Sequence, residues 1–146
     1  MKTIYKVIKL KTNKQFEVVD ITEKVLEIVR EINIVSGVVT IQSPHSTASI
    51  RINNFEPLLQ QDMFKTMYRL APLDISYSHD LFELKKNVSP TERSNGHAHV
   101  KAFILGSSES VIVDDSKLML GANQSVLFIE FDGGRNRNVQ VSVMGE

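Results

Sequence analysis

The sequence predicts a single α+β domain over residues 1–146, mostly antiparallel strands with two main amphipathic helices inserted among them. Three observations predict this class. The length of 146 residues is that of one ordinary domain. Short apolar or alternating runs separated by turn residues dominate the chain, above all its last third. Only two segments place apolar residues at the 3.6-residue period of a helix, and neither a repeat nor a second domain is visible.

The composition excludes several classes of protein. Seventeen Lys and Arg residues balance 17 Asp and Glu residues, so the chain lacks the basic surplus by which a general nucleic-acid binder neutralises phosphates. The absence of cysteine excludes disulfides, thiolate zinc sites and thiol nucleophiles. No stretch approaches the roughly 18 apolar residues of a membrane span, and the start lacks the apolar run of a secretory signal. We therefore expect a soluble, cytoplasmic protein that binds neither nucleic acid nor membrane.

The first half of the chain predicts four strands and both helices. The first helix is the clearest, because apolar residues repeat at helical spacing from Ile21 to Ile32. The second helix starts at Pro57, which a first helical turn tolerates, and its apolar residues continue from Leu58 to Leu70. The four strands are predicted over residues 1–10, 16–19, 38–41 and 48–52.

The second half predicts a long irregular segment followed by strands and turns. Residues 71–97 are interrupted by proline, serine, asparagine and glycine, and so long a loop in a small domain either carries function or is mobile. Asp132-Gly133, between two apolar runs, predicts a hairpin. The five strands predicted here are 99–105, 111–113, 118–120, 126–131 and 139–143.

The candidate chemistry rests on the four histidines. The chain contains no dinucleotide-binding, Walker, nucleophile-elbow or H-E-x-x-H motif. His45, His79, His97 and His99 all lie at junctions between predicted elements, and in an extended segment the last two would point to one sheet face. Neutral imidazoles converging with a carboxylate would suit zinc or a similar divalent ion, whereas the alternative is ordinary hydrogen-bonded histidines.

Two further polar groups are candidates from their positions alone. Asp62 lies on the second predicted helix at the edge of its apolar face, where an exposed structural aspartate is the alternative. Arg135 and Arg137 follow a Gly-Gly turn, and a guanidinium there could clamp a phosphate or simply end a solvated hairpin.

The order of these residues resembles the YjbQ family, also called the UPF0047 group or the secondary thiamine-phosphate synthases. The resemblance covers essentially the whole chain. It is carried by an ordered set of motifs: His45-Ser46-Thr47-Ala48-Ser49, Asn53, Asp62, His79-Asp80, Asn95-Gly96-His97-Ala98-His99, Leu105-Gly106, Gly121, Gln124 and Asp132-Gly133-Gly134-Arg135.

The resemblance implies a compact α+β fold with a β-sandwich-like core, assembled as a homotrimer with sites near subunit boundaries. It implies a divalent metal ion. Imidazole ligands would favour zinc, whereas a diphosphate substrate would be compatible with magnesium. His45, His79 and His99 match the family's histidines and are the implied metal ligands, whereas His97 falls at a variable position. The polar positions implied around the pocket are Thr47, Asn53, Asp62, Asn95, Gln124 and Arg135.

The activity implied is condensation of hydroxymethylpyrimidine diphosphate with thiazole phosphate, releasing diphosphate, so the partner is a small phosphorylated metabolite. Arg135 would bind phosphate, and Asp62 would orient a ligating imidazole or act as a base. Thr47, Asn53 and Gln124 would orient the substrate. The chain departs from the family at Asn54, where a glutamate is usual, at Asn123, where a tryptophan is usual, and at Gly134, where a proline is common.

Two other functions remain open from the sequence. The same histidines with a bound water could support metal-dependent hydrolysis of a small phosphorylated or acylated metabolite. The departures at Asn54 and Asn123 favour instead a non-catalytic trimer that binds a metal or anion. A measurement of turnover distinguishes this binding protein from both enzymes. Such a measurement is needed because fold and family do not determine the reaction.

Overall fold

A computed structural model describes all residues, Met1–Glu146, and confirms the α+β class. It contains eight strands and three α-helices, none of which is long and apolar enough to cross a membrane. In chain order the elements are β1 (Lys2–Lys11), β2 (Glu17–Asp20), α1 (Thr22–Glu31), β3 (Gly37–Gln42), β4 (Ala48–Asn53), α2 (Pro57–Leu70), α3 (Gly96–Leu105), β5 (Ser108–Asp114), β6 (Lys117–Leu118), β7 (Ser125–Glu130) and β8 (Asn136–Gly145).

The strands form two antiparallel sheets that face each other across the main core. The larger sheet has the order β1-β8-β3-β5-β6, and the smaller has the order β2-β7-β4. Inward side chains of both sheets meet there, and the apolar face of α1 packs into the same core as its pattern predicts. This core includes Val25 and Val29 of α1, Val39, Val141 and Val143 of the larger sheet, and Ile50, Val126 and Phe128 of the smaller.

The smaller sheet is covered on its second face by α2 and α3. Leu127, Ile129 and Phe131 alternate with the residues of the main core and contact Met67 of α2 and the two alanines of α3. The side chains of β7 are therefore buried on both faces, which explains its nearly continuous apolar run.

The strand predicted over residues 99–105 is wrong: this segment belongs to α3. Small or polar residues of α3 face inward, among them Ala98, Lys101 and Ala102, while the large apolar residues Val100 and Phe103 are exposed. The apolar pattern is thus inverted relative to an ordinary amphipathic helix, and the β-favouring side chains resemble a strand in sequence.

The hairpin predicted at Asp132-Gly133 is also wrong, because β7 and β8 belong to different sheets. The turn carries the chain from the smaller sheet to the larger one. It passes so close to the β1–β2 segment that a Cβ on Gly133 would lie 2.0 Å from the carbonyl oxygen of Lys14. Glu130 and Arg137, at the two ends of this crossing, are thereby brought face to face.

The segment predicted to be irregular over residues 71–97 is so only to residue 95, because α3 begins at Gly96; it contains two short 3-10 turns at Ser78–Asp80 and Phe82–Leu84. The carboxylate of Asp80 accepts a hydrogen bond of 3.0 Å from the backbone N–H of Gly96, the first residue of α3. This contact satisfies one free N–H of the helix start and holds the irregular segment against it.

Candidate functional site

Five of the residues that the resemblance implies for the site line one cavity of about 380 Å³, and so does Arg137, the second arginine after the Gly-Gly turn. The cavity lies where the β3–β4 segment, the start of α3 and the β7–β8 crossing meet. Its lining has no large apolar residue and combines hydroxyl, amide, imidazole and guanidinium groups with one carboxylate, that of Glu92. The predicted residues on its wall are His45, Thr47, Asn95, His99 and Arg135.

A buried ion pair forms the floor beside this cavity. Glu130 is fully buried and Arg137 is 4% exposed, and the guanidinium donates from Nε and Nη2 to the two carboxylate oxygens. The same carboxylate accepts from the Thr12 hydroxyl at 2.9 Å and from the backbone N–H of Asp132 at 2.9 Å. Nη2 of Arg137 also donates to the Thr47 hydroxyl at 2.8 Å, so the pair orients Thr47 in the cavity wall.

Asp132 fixes two further guanidinium groups. Its carboxylate accepts from Arg135 Nη2 at 2.6 Å, from Arg93 Nη1 at 3.4 Å and from Asn95 Nδ2 at 2.9 Å. Burial acts to raise the pKa of Asp132, but the hydrogen bond from Asn95 and the guanidiniums of Arg135 and Arg93 outweigh it and hold the pKa below its ordinary value. Both arginines are partly exposed and line the cavity, which leaves their other N–H groups for a ligand.

His45 is held as a neutral imidazole with a defined tautomer. Burial and the nearby guanidinium of Arg137 lower its pKa. Its Nε2 accepts a hydrogen bond of 2.9 Å from the backbone N–H of Asn138. A neutral imidazole carries one proton, so that proton is on Nδ1, which becomes a donor.

His79 and His99 lie side by side at the N-terminus of α3. Since Asn95 uses its amide nitrogen on Asp132, its oxygen faces His79 Nε2 at 3.0 Å, and His79 donates. The rings of His79 and His99 contact edge-on, with centroids 4.5 Å apart. Burial and His79 lower the pKa of His99, whose ring nitrogens have no hydrogen-bond partner in the protein. His99 is therefore neutral and available to a ligand.

His97, two residues earlier, points elsewhere because residues two apart on a helix are separated by about 200° around its axis. His97 is buried, its ring lies 5.8 Å from that of Tyr68, and its Nδ1 is 2.8 Å from the ammonium of Lys101. The shared sheet face predicted for His97 and His99 is therefore wrong. This agrees with the resemblance, which separates the two.

The three histidines of the implied metal set do not fit a preformed ion site within one chain. Nowhere does the chain gather three His, Asp or Glu side chains placed to hold a metal ion. The Nε2 lone pair of His45 is already used by Asn138, and its Nδ1 carries the proton. His79 likewise uses Nε2 on Asn95. The divalent ion stays a prediction.

Three predicted residues lie away from this cavity. Asn53 and Asp62 line a separate, mainly apolar cavity of about 380 Å³ between β4, β7 and α2. Gln124 is exposed in the turn before β7, where its side-chain oxygen accepts a hydrogen bond of 2.8 Å from the backbone N–H of Gly121.

The sequence reasoning missed Glu130 and Arg93. Glu130 lies inside the apolar run 126–131, and a carboxylate in a buried strand requires a partner, so its position pointed to a buried cation. Arg93 lies in the irregular segment, and nothing in its local pattern indicates that it reaches Asp132.

Comparison with known proteins identifies the family. The profile described as "UPF0047 protein YjbQ-like" matches residues 6–146. UPF0047 protein YugU of Bacillus subtilis is 36% identical over 141 residues, which cover 96% of this chain and 98% of that protein. A UPF0047 protein of Archaeoglobus fulgidus is 38% identical over 135 residues, which cover 92% and 97%.

Solved structures agree with this result. The crystal structure of a YbjQ-like protein of unknown function from Sulfolobus solfataricus P2 matches with a TM-score of 0.89 at 33% identity, covering 99% of each chain. A hypothetical protein from Aeropyrum pernix K1 matches with a TM-score of 0.86 at 32% identity over the full length of both. Sequence profile, relatives and fold thus coincide over nearly the whole chain, which belongs to the UPF0047 family of YjbQ-like proteins.

Proposed function

We propose that the cavity binds the phosphate groups of a small metabolite and that the protein is a transferase resembling secondary thiamine-phosphate synthase. In that reaction hydroxymethylpyrimidine diphosphate condenses with thiazole phosphate, and diphosphate leaves. The observation that carries the proposal is a mainly polar cavity lined by Arg93, Arg135 and Arg137 together with His45 and His99; its one carboxylate, Glu92, is paired with Lys85. Guanidinium groups and neutral N–H donors suit a ligand with several negative charges.

Arg93 and Arg135 would hold the leaving diphosphate. The thiazole nitrogen donates its lone pair to form the new bond to the methylene carbon. The bond from that carbon to the diphosphate oxygen breaks, and its electron pair and the negative charge go to the diphosphate. Donors that are fixed in advance stabilise such charge without reorganising, and Asp132 fixes both guanidiniums. His45 adds an N–H and Thr47 adds a hydroxyl held by Arg137.

A second candidate is hydrolysis of a small phosphorylated metabolite, and the state of His99 favours it. A general base must be unprotonated near neutral pH and free to reach the attacking water. His99 has a lowered pKa, lines the cavity and has no hydrogen-bond partner in the protein. In this reaction His99 would take the proton of the water as its oxygen bonds to phosphorus. The bond from phosphorus to the ester oxygen breaks, its electron pair goes to that oxygen, and the leaving alkoxide takes up a proton to depart as the alcohol.

The same proposal includes the homotrimer and the cytoplasmic location. What supports the trimer is the position of Asn53, Asp62 and Gln124, which lie outside the cavity of their own chain. A neighbouring subunit that brought such residues to the arginine cavity would complete the set that the resemblance implies. The oligomeric state, measured by sedimentation, tests this part independently of activity.

The activity is tested by incubating the protein with hydroxymethylpyrimidine diphosphate and thiazole phosphate and measuring both thiamine phosphate and released diphosphate. We expect turnover, and we expect Arg135→Ala to lower kcat/KM by about 100-fold because it removes a charged donor from the leaving group. Arg30→Ala is the matched control, since Arg30 is an exposed arginine on α1 remote from the cavity. If diphosphate binding depends on Arg135 but the two substrates give no product, the protein is a non-catalytic binding protein and not a transferase.

A further inference from the structure

Residues 81–92, within the irregular segment between α2 and α3, form a stretch that we call the strap. Its backbone hydrogen bonds run only to residues three positions away in the same segment, and none reaches an α-helix or a strand. Its side-chain hydrogen bonds and ion pairs stay within residues 79–92. None of its side chains belongs to either apolar core. A stretch with so few bonds to the fold opens at a lower free-energy cost than the fold as a whole.

Both ends of the strap are fastened beside the arginine cavity, the cavity lined by Arg93, Arg135 and Arg137. Just before the strap, the Asp80 carboxylate accepts a hydrogen bond of 3.0 Å from the first N–H of α3. Just after it, Nη1 of Arg93 donates to Asp132, to the backbone oxygen at 3.2 Å and to a carboxylate oxygen at 3.4 Å. The strap is therefore tied to α3 at one end and to the β7–β8 crossing at the other.

The strap supplies part of the wall of this cavity through Ser89, Thr91 and Glu92. Its own contacts join its two halves to each other. Lys85 lies 3.5 Å from the carboxylate of Glu92, and the hydroxyls of Ser89 and Thr91 are 2.9 Å apart. A loop packed on its own side chains can move as one unit about its ends. Such a movement of the strap would widen the cavity.

Arg93 connects the strap to whatever binds in the cavity. Only Nη1 of its guanidinium has a partner in the chain, so Nε and Nη2 are left for a ligand. Arg135 is held by the same Asp132 carboxylate at 2.6 Å, and phosphate oxygens can accept from both guanidiniums. A bound polyanion would thus add bonds to the end of the strap that the free protein lacks. A ligand that makes bonds only to the closed form shifts the protein towards that form.

We propose that residues 81–92 act as a strap that opens to admit the ligand and closes over it when its phosphate groups bind Arg93. The inference rests on the proposed function, because it takes the arginine cavity as the phosphate site. It adds how access to that site is controlled. A closed strap would keep water away from the bound phosphate, and this favours transfer to a second substrate over hydrolysis.

The test is limited digestion with trypsin, in which mass spectrometry follows cleavage after Lys86 in the strap and after Lys65 in α2. Cleavage after Lys65 requires α2 to unfold, whereas cleavage after Lys86 requires only an open strap. In the free protein we expect cleavage after Lys86 to be faster by about tenfold or more. Diphosphate at about ten times its Kd, measured by calorimetry, should slow this cleavage about tenfold. The open fraction falls in that proportion when only the closed form binds the ligand.

Arg93→Gln and Arg135→Gln form a matched pair, because both guanidiniums bind Asp132 but only Arg93 adjoins the strap. With diphosphate at about ten times the Kd of each variant, Arg135→Gln should keep the tenfold protection and Arg93→Gln should lose it. Equal protection in the two variants overturns the proposal.

Two results for the wild type would also overturn it. In one, cleavage after Lys86 is as slow as cleavage after Lys65, because a neighbouring subunit or another contact holds the strap shut. In the other, diphosphate binds but leaves cleavage after Lys86 unchanged. If calorimetry detects no diphosphate binding at all, the proposed function fails, and this result is distinct from binding without protection.

Discussion

Replacing Glu130 by glutamine is expected to destabilise the protein strongly, although the change removes only one charge. Glu130 is fully buried, and Arg137 opposite is 4% exposed, so the guanidinium left behind would have no carboxylate beside it and little contact with water. The amide would also direct N–H groups at positions that now accept hydrogen bonds from Arg137 and Thr12. Removing one partner of a buried pair costs about 3–5 kcal/mol.

The expected effect on the melting temperature follows from the size of the chain. For a chain of 146 residues each kcal/mol shifts Tm by about 2–4 °C, so Glu130→Gln should lower Tm by roughly 6–20 °C. Urea unfolding measures the free energy directly. The matched control is Glu31→Gln at the exposed pair with Lys6, where the change should stay within about 1 kcal/mol.

A double variant separates the charge from the packing. Glu130→Met with Arg137→Met removes both charges together and should be less destabilised than Glu130→Gln alone, because no uncompensated charge remains. The explanation is refuted if the double variant is the less stable of the two. It is equally refuted if Glu130→Gln costs no more than the exposed control.

Three further predictions concern charge and protonation. The hydrogen bond from Asn95 and the guanidiniums of Arg135 and Arg93 hold the pKa of Asp132 below its ordinary 3.8. The carboxylate therefore stabilises the fold at pH values above 3.8, and this contribution is lost as the pH falls through the pKa of the folded state. The difference in unfolding free energy between wild type and Asp132→Asn, measured in urea, should shrink in acid. Burial lowers the pKa of Lys101 from 10.5 to about 8, so the unfolded chain binds more protons between these values. This group should make the protein more stable as the pH rises through that range, and Lys101→Met should lack the rise. The predicted divalent ion requires about one ion per purified chain and its loss from a His45→Ala, His99→Ala variant; metal analysis that finds none, even after incubation with zinc, contradicts it.

The spacing of apolar residues was sufficient to predict helices α1 and α2 but not α3. The apolar residues of α1 repeat at helical spacing and are buried together, so periodicity and packing agree. In α3 the large apolar residues Val100 and Phe103 are exposed, and the buried face contains alanines and Lys101. Tertiary packing against β7 and α2 determined the conformation of this segment, and no window of sequence contains that information.

The candidate site could likewise be predicted from the sequence only in part. The order of motifs identified His45, Thr47, Asn95, His99 and Arg135, and the fold brings all of them to one cavity. The ion pair of Glu130 and Arg137 depends on the crossing of the chain from the smaller sheet to the larger one. The sequence predicted a hairpin at that crossing. Without that crossing, nothing indicates that Glu130 would face Arg137.

The strand order has a consequence for synthesis on the ribosome. β1 is an edge strand whose only neighbour is β8, paired in register from Lys2 with Gly145 to Lys11 with Asn136. β1 therefore has no partner until β8 has been made, and meanwhile its hydrogen-bonding edge is open to other chains. Four lysines along β1, at positions 2, 6, 9 and 11, give the waiting strand a positive charge that opposes premature association.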